Sequence, residues 1–129
     1  MSSIIENRDL MEKFNPDAVR IAQEKVLPVF PDLVEKIAAD IYGYAYRRTG
    51  LDIKTRHLIS LGVISAIGDC ENQLRFQLEA ALHLGITPTE VREAFIQVSV
   101  FAGNARAFNA ARIFKSITDN FIKSDDKCT

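Results

Sequence analysis

LDIKTRHLISLGVISAIGDCENQLRFQLEAALHLGITPTEVREAFIQVSVFAGNARAFNAAR, residues Leu51 to Arg112, decides the fold because it is an unbroken run of helical signals. From about Asp52 to Ile67 it is apolar nearly all round, with Ile53, Leu58, Ile59, Leu61, Val63, Ile64, Ala66 and Ile67 leaving no polar face. Such a pattern predicts a central, buried helix. Gly68-Asp69 punctuates it, and a second helix is expected from about Cys70 to Leu84, with Gly85 in the C-cap position. Thr87-Pro88-Thr89-Glu90 is a capping box with proline at the first helical position. It opens a helix to Ala102. Gly103-Asn104 breaks that helix and starts another, about Ala105 to Lys123.

Outward from this run, Asn15-Pro16 reads as an N-cap followed by proline, so a helix is expected from about Pro16 to Leu27, ended by Pro28. Pro31 opens the next, whose apolar stripe of Leu33, Val34, Ile37, Ile41 and Tyr44 faces a core or a subunit and stops near Thr49-Gly50. Residues 1–14 form an N-terminal segment, residues 15–123 the helical domain, and residues 124–129, SDDKCT, a polar tail expected to be disordered. No segment alternates as a strand would. The expectation is an all-α, single-domain bundle of about six helices.

The chain of 129 residues is long enough for one core. Its 16 basic and 17 acidic residues nearly cancel, and without a basic block nucleic acid is not an expected partner. No apolar stretch reaches the length of about 20 residues that spans a bilayer, and MSSIIENRDL lacks a basic region followed by an apolar core. A cytoplasmic protein without membrane association is expected. The two cysteines, Cys70 and Cys128, give neither a disulfide framework nor metal-ligand spacing, so no metal is expected.

Three motifs carry a family resemblance over roughly residues 40 to 114: LDIKTR at Leu51 to Arg56, GITPTE at Gly85 to Glu90, and E-x-x-x-Q-x-x-x-F-A-G from Glu93 to Gly103. The chain resembles the carboxymuconolactone decarboxylase family, whose redox branch is the alkylhydroperoxidase D-like proteins. The resemblance implies an all-α fold, no cofactor, a small-molecule substrate and a homo-oligomer, trimer or hexamer. Fold does not carry chemistry with it, so the site decides the function.

Cys70, Gln73, Leu74, Gln77 and Ala81 are spaced to share one face of their helix, expected to be the inward one. In the redox branch this helix carries C-x-x-C followed four residues later by histidine. Here Cys70 matches the first cysteine, Gln73 stands at the second and Gln77 at the histidine. Dithiol chemistry needs two thiols that close on each other, and one is missing. In the decarboxylase branch the same histidine resembles a general acid/base. Glutamine orients a carboxylate or carbonyl but holds no transferable proton near pH 7. The family's Asn-Asn before the glycine is His83-Leu84 here, and its tyrosine before Ala-Gly is Phe101.

His57, where many relatives have Glu, is then the candidate proton carrier or thiol activator; its other reading is a buried histidine satisfied by a carbonyl. Cys70, at a helix start where the dipole favours thiolate, is either a reactive thiol or a small buried residue. Glu93, Gln97, Val100 and Phe101 share a face that lines a pocket with Gln73 and Gln77 or meets another subunit. Arg56, Arg75 and Arg106 are candidates for holding a substrate carboxylate, Arg56 favoured by its motif. His83 reads as a surface residue. Three functions remain open. They are a cofactor-free lyase on a small carboxylated lactone or related acid, an antioxidant peroxidase acting through Cys70, and a non-catalytic ligand-binding oligomer.

Overall fold

The computed structural model describes residues 2–127, with side chains through residue 120. No strand occurs among the described residues. In chain order the α-helices are α1 (Ser3–Glu6), α2 (Arg8–Phe14), α3 (Ala18–Ile21), α4 (Pro31–Ile41), α5 (Ile53–Ile67), α6 (Glu71–His83), α7 (Pro88–Ala102) and α8 (Asn104–Lys127). A π-helical turn, Ala22–Val26, extends α3, and a 3-10 turn, Ala45–Arg47, follows α4. The all-α class is as the sequence predicts, with more and shorter helices than the expected six. Cys128 and the end of the tail lie outside the described residues.

The chain divides into two compact units, residues 1–56 and 57–129. In the first, Ile4, Leu10, Met11, Phe14, Val19, Ala38 and Tyr42 are buried. Phe14 is the centre, fully buried, with the rings of Tyr42 and Tyr46 edge-on to it at 5.0 and 4.8 Å. Edge-to-face packing places the positive edge of one ring on the negative face of another. Helices as short as α1 and α2 do not hold by themselves in water. They are held instead by distant partners. Glu35 of α4 accepts hydrogen bonds from Ser2 Oγ (2.9 Å) and Ser3 N (2.7 Å), placing a carboxylate at the positive end of α1. Arg47 donates to Asp9 (2.8 and 3.1 Å), to Asn7 Oδ1 (3.0 Å) and, through Nε, to Tyr42 O (2.9 Å). The helix from Pro31 stops at Ile41 instead of running to Thr49, and the clamp is made from the 3-10 turn that follows it. Leu33, Ile37 and Tyr44 of its expected stripe are exposed in the single chain, and Ala38 and Tyr42 are the buried positions.

In the second unit one cluster unites α5 to α8: Leu61, Leu74, Leu78, Ala81, Val91, Phe95, Ile113 and Phe114 among them. Local chemistry sets its corners. After α6 the chain closes a full Schellman motif, Gly85 N to Leu82 O and Ile86 N to Ala81 O, with Gly85 at φ 85° and Ile86 buried. The Thr87 capping box is complete, Glu90 N donating to Thr87 Oγ1 (3.1 Å) and Thr87 N to Glu90 Oε1 (2.9 Å).

One expectation is corrected. The helix from Ile53 to Ile67 is not buried all round: His57, Leu61 and Ser65 form its buried stripe, while Ile59, Val63 and Ile67 are more than half exposed. The sequence supplies two apolar faces and the chain covers one.

The Arg47 bonds depress the Asp9 carboxyl from its ordinary 3.8 to about 2. A carboxyl with a lowered folded-state pKa contributes stability that is present above its unfolded value and lost as pH falls through the folded one. A carbon-detected NMR titration should find the Asp9 midpoint near 2, and Arg47→Gln should return it toward 3.8. An unshifted midpoint in the variant would show that the clamp does not form.

Candidate functional site

Because Leu74, Leu78 and Ala81 fix which side of α6 is buried, the neighbouring side chains follow from helix geometry. Gln77 lies beside that stripe, half-buried, and its Oε1 is enclosed without a hydrogen-bond partner. Gln73 is turned by about 100° from Leu74, and it is exposed. The single inward face expected for Cys70, Gln73 and Gln77 is therefore corrected at Gln73.

His57 is 0% exposed and its Nε2 lies 2.7 Å from the backbone oxygen of Gln77. A carbonyl only accepts, so Nε2 carries the proton and the lone pair of the neutral ring belongs to Nδ1. Burial lowers the His57 pKa, opposed in part by that bond. The ring is neutral at pH 7. The bond also ties α5 to α6 at the position where Gln77 stands.

Between these helices the chain reverses through Gly68 (φ 73°) and Asp69 (φ 57°), both left-handed. Asp69 tolerates this because short polar side chains are among the few that visit the region. A Cβ at Gly68 would overlap the guanidinium of Arg106, so glycine leaves the space in which that group lies. Cys70 is the N-cap of α6 but its side chain caps no amide; the half-buried thiol donates to Ile64 O at 3.5 Å. The reversal walls one end of a cleft of about 530 Å³, with Ser65, Cys70, Arg106, Asn109 and Arg112 on its lining. Arg106 Nη1 is 3.9 Å from Asp69 Oδ2, and Arg112 lies over the Phe108 ring at 5.1 Å. Ser65 Oγ is buried and unpartnered.

The structure thus brings His57 to Gln77 through the backbone and places Cys70 in the cleft. Arg56 is half-buried in the first turn of α5. Glu93, Gln97 and Phe101 do share a face of α7, and in the single chain it is exposed, Phe101 by 84%. Of the other arginines, Arg75 donates to Ser116 Oγ (3.1 Å) on α8, and Arg106 is the one at the cleft. His83 is exposed. Sequence reasoning missed Ser65, Asn109 and Arg112. A serine in an apolar helix gives a weak signal, since it is usually satisfied by the carbonyl one turn back. Among the described residues no group of three or more His, Cys, Asp or Glu side chains is arranged to hold a metal ion, and no helix is long and apolar enough to cross a membrane.

For a histidine with a lowered folded-state pKa the unfolded chain binds more protons, so its contribution is present above the ordinary 6.5 and lost as pH falls below it. Thermal unfolding should show stability declining from pH 7 toward pH 5. His57→Gln should remove most of that slope, and a slope unaltered by the substitution would assign it to other groups.

Residues 31–116 match the model of the carboxymuconolactone decarboxylase family. The chain is 34% identical to an uncharacterized 15.0 kDa protein of Paracoccus denitrificans, over 85% of this chain and 83% of that one. It is 32% identical to 4-carboxymuconolactone decarboxylase of Acinetobacter baylyi (68% and 66% covered) and 33% identical to nitrosuccinic acid decarboxylase of Metarhizium robertsii (72% and 65% covered). The matches thus span about two thirds of the length of each decarboxylase. With the family's motifs distributed along a matching all-α chain, this protein belongs to the carboxymuconolactone decarboxylase family.

Proposed function

We propose that the protein is a cofactor-free lyase that decarboxylates a small carboxylated lactone or related acid. The observation that carries this is the cleft of about 530 Å³ with two arginines on its lining, a size suited to a small molecule. Two relatives named as decarboxylases of small acids support it. In such a reaction the bond to the carboxylate carbon breaks, carbon dioxide leaves, and the electron pair stays on the substrate until a proton reaches it. The balance needs no oxidant or reductant. Gln77 and His57 stand off the lining of the cleft, so Gln77 would orient the acid from the margin of the core, and His57, neutral at pH 7, would first accept a proton at Nδ1 through an intervening group and then return it to the substrate.

The exposed face of α7 fits the same function once copies associate. Gln73, Glu93, Gln97 and Phe101 are all exposed in the single chain, and a second chain over them would enclose them in a substrate-binding pocket. Ile59, Val63, Ile67, Ile96, Val100 and Phe108 expose apolar surface on α5, α7 and α8. Single apolar residues on a surface are ordinary, but three on α5 and two on α7, with Phe108 on α8, mark an interaction face. Light scattering should report a trimer or hexamer, and Val63→Asp with Val100→Asp should shift it to monomer; a monomeric wild type would overturn the assembly.

One observation favours a second function. Cys70 is half-buried, at the start of α6 and in the wall of the cleft. Its thiolate would attack a hydroperoxide, giving an alcohol and a sulfenic acid that a thiol reductant returns to the thiol. One experiment separates the two functions: carbon dioxide release from 4-carboxymuconolactone and peroxide consumption with a thiol reductant, in wild type, His57→Asn and Cys70→Ser. The lyase predicts carbon dioxide release that falls at least about 100-fold in His57→Asn, the contribution of one acid/base group. Peroxide turnover lost only in Cys70→Ser, with no carbon dioxide released by wild type, would establish the alternative and overturn the lyase.

A further inference from the structure

We infer that the floor of the cleft beside Cys70 is a carboxylate-binding subsite, with the Ser65 hydroxyl and the Arg106 guanidinium as its donors and the first turn of α6 as its positive end. The inference rests on the proposed binding of a small acid and names the place where its carboxylate is held.

Ser65 is the observation that points to a ligand. It belongs to the buried stripe of α5, is 3% exposed, lines the cleft, and its Oγ has no hydrogen-bond partner. A buried hydroxyl left unpaired costs free energy that alanine at the same position would not. An acceptor arriving from the cleft removes that cost.

Arg106 gives the acceptor its charge. Its guanidinium occupies the space left by Gly68, which no side chain could share. Its ion pair with Asp69 is loose, 3.9 Å, and that side chain is 97% exposed and screened by water. Its fork of donors is therefore available to a better-placed anion, and matches the two oxygens of a carboxylate. The first-turn amides of α6 receive no cap from Cys70 and end a 13-residue helix at the same cleft. Helix N-termini favour negative charge. Asn109 adds an amide to the lining. The acids Asp69 and Glu71, both also on the lining, repel a second negative charge. The site therefore suits a singly charged carboxylate better than phosphate.

The test uses the full chain in its native assembly and 4-oxopentanoate as the probe, a small acid with one carboxylate and one carbonyl. Calorimetry compares it with its methyl ester and with inorganic phosphate, in wild type, Ser65→Ala, Arg106→Gln and Arg106→Lys. The acid should bind at millimolar concentrations or below, the ester and phosphate much more weakly. Loss of one charge-assisted hydrogen bond should weaken binding about tenfold or more in Ser65→Ala and Arg106→Gln, with part of the loss recovered in Arg106→Lys. Unliganded Ser65→Ala should unfold at or above the wild-type temperature, which separates a binding role from a structural one. Affinity unchanged in Ser65→Ala and Arg106→Gln, equal binding of the ester, or no binding of the acid by wild type would overturn the subsite. Carbon dioxide release bears on the lyase separately. Binding with these dependences but no decarboxylation would overturn the lyase alone, and decarboxylation with unaltered variants would overturn the subsite alone.

Discussion

The burial of Leu74, Leu78 and Ala81 against Leu61, Phe95, Ile113 and Phe114 is the constraint on which the rest of the second unit depends. Three residues at helical spacing, locked in a core shared by four helices, remove the freedom of α6 to turn about its own axis. Every chemical feature of that helix is then a consequence. Gln77 falls at the margin of the core, where its amide oxygen is enclosed but unpaired. Gln73 falls outside. Cys70, one residue before the helix proper, stands in the wall of the cleft. A helix rotated by one residue would exchange these environments, so the apolar stripe, rather than the polar residues, decides which polar residues have a role.

The same constraint accounts for the neutral character of the inner site. His57 occupies the α5 stripe with Leu61 and Ser65, and a charged imidazole there would have to leave water for an apolar core. Its bond to the Gln77 carbonyl satisfies the ring without charging it. Gln77 in turn leaves one amide oxygen unsatisfied, and Ser65 one hydroxyl; each such group costs roughly 1–3 kcal/mol. A sequence shaped for stability alone would have placed apolar side chains at both positions. Two orphaned polar atoms in one well-packed unit are the kind of local cost found where a site is kept ready for a ligand.

Much of this architecture is legible in the sequence because its signals are local. The Thr87 to Glu90 capping box, the glycine after His83-Leu84 and the break at Gly103 each act within four residues of themselves, and the structure closes each corner where the residues say it should. What could not be read is tertiary. The helices α1 and α2 lack strong caps and depend on Glu35 and Arg47, more than thirty residues away. At the site, Arg56, Arg75 and Arg106 look alike as residues, and only the left-handed turn at Gly68 distinguishes the one that lies against the cleft. The serine at 65 is chemically ordinary until its neighbours withhold every acceptor.

The apolar surplus of α5 ties these strands together. A helix whose sequence has no polar face is stable only if both faces are covered, because each exposed Ile or Val forgoes the gain of leaving water, about 25 cal/mol for every Å². The chain covers the face that carries His57, Leu61 and Ser65 and leaves Ile59, Val63 and Ile67 in solvent. The α7 face that carries Glu93, Gln97, Val100 and Phe101 is in the same position, half of it apolar and all of it exposed. Association of copies through these faces would bury the apolar members and, with them, desolvate Glu93 and Gln97. Desolvated polar groups seek partners: the Gln97 amide would donate to a small acid held nearby, whereas Glu93 would need a donor from the second copy. On the proposed function, the residues that pattern suggested as substrate-binding, and that the single chain leaves in water, would owe a role to the assembly, whereas Ser65, Arg106 and Cys70 would owe theirs to the fold of one chain.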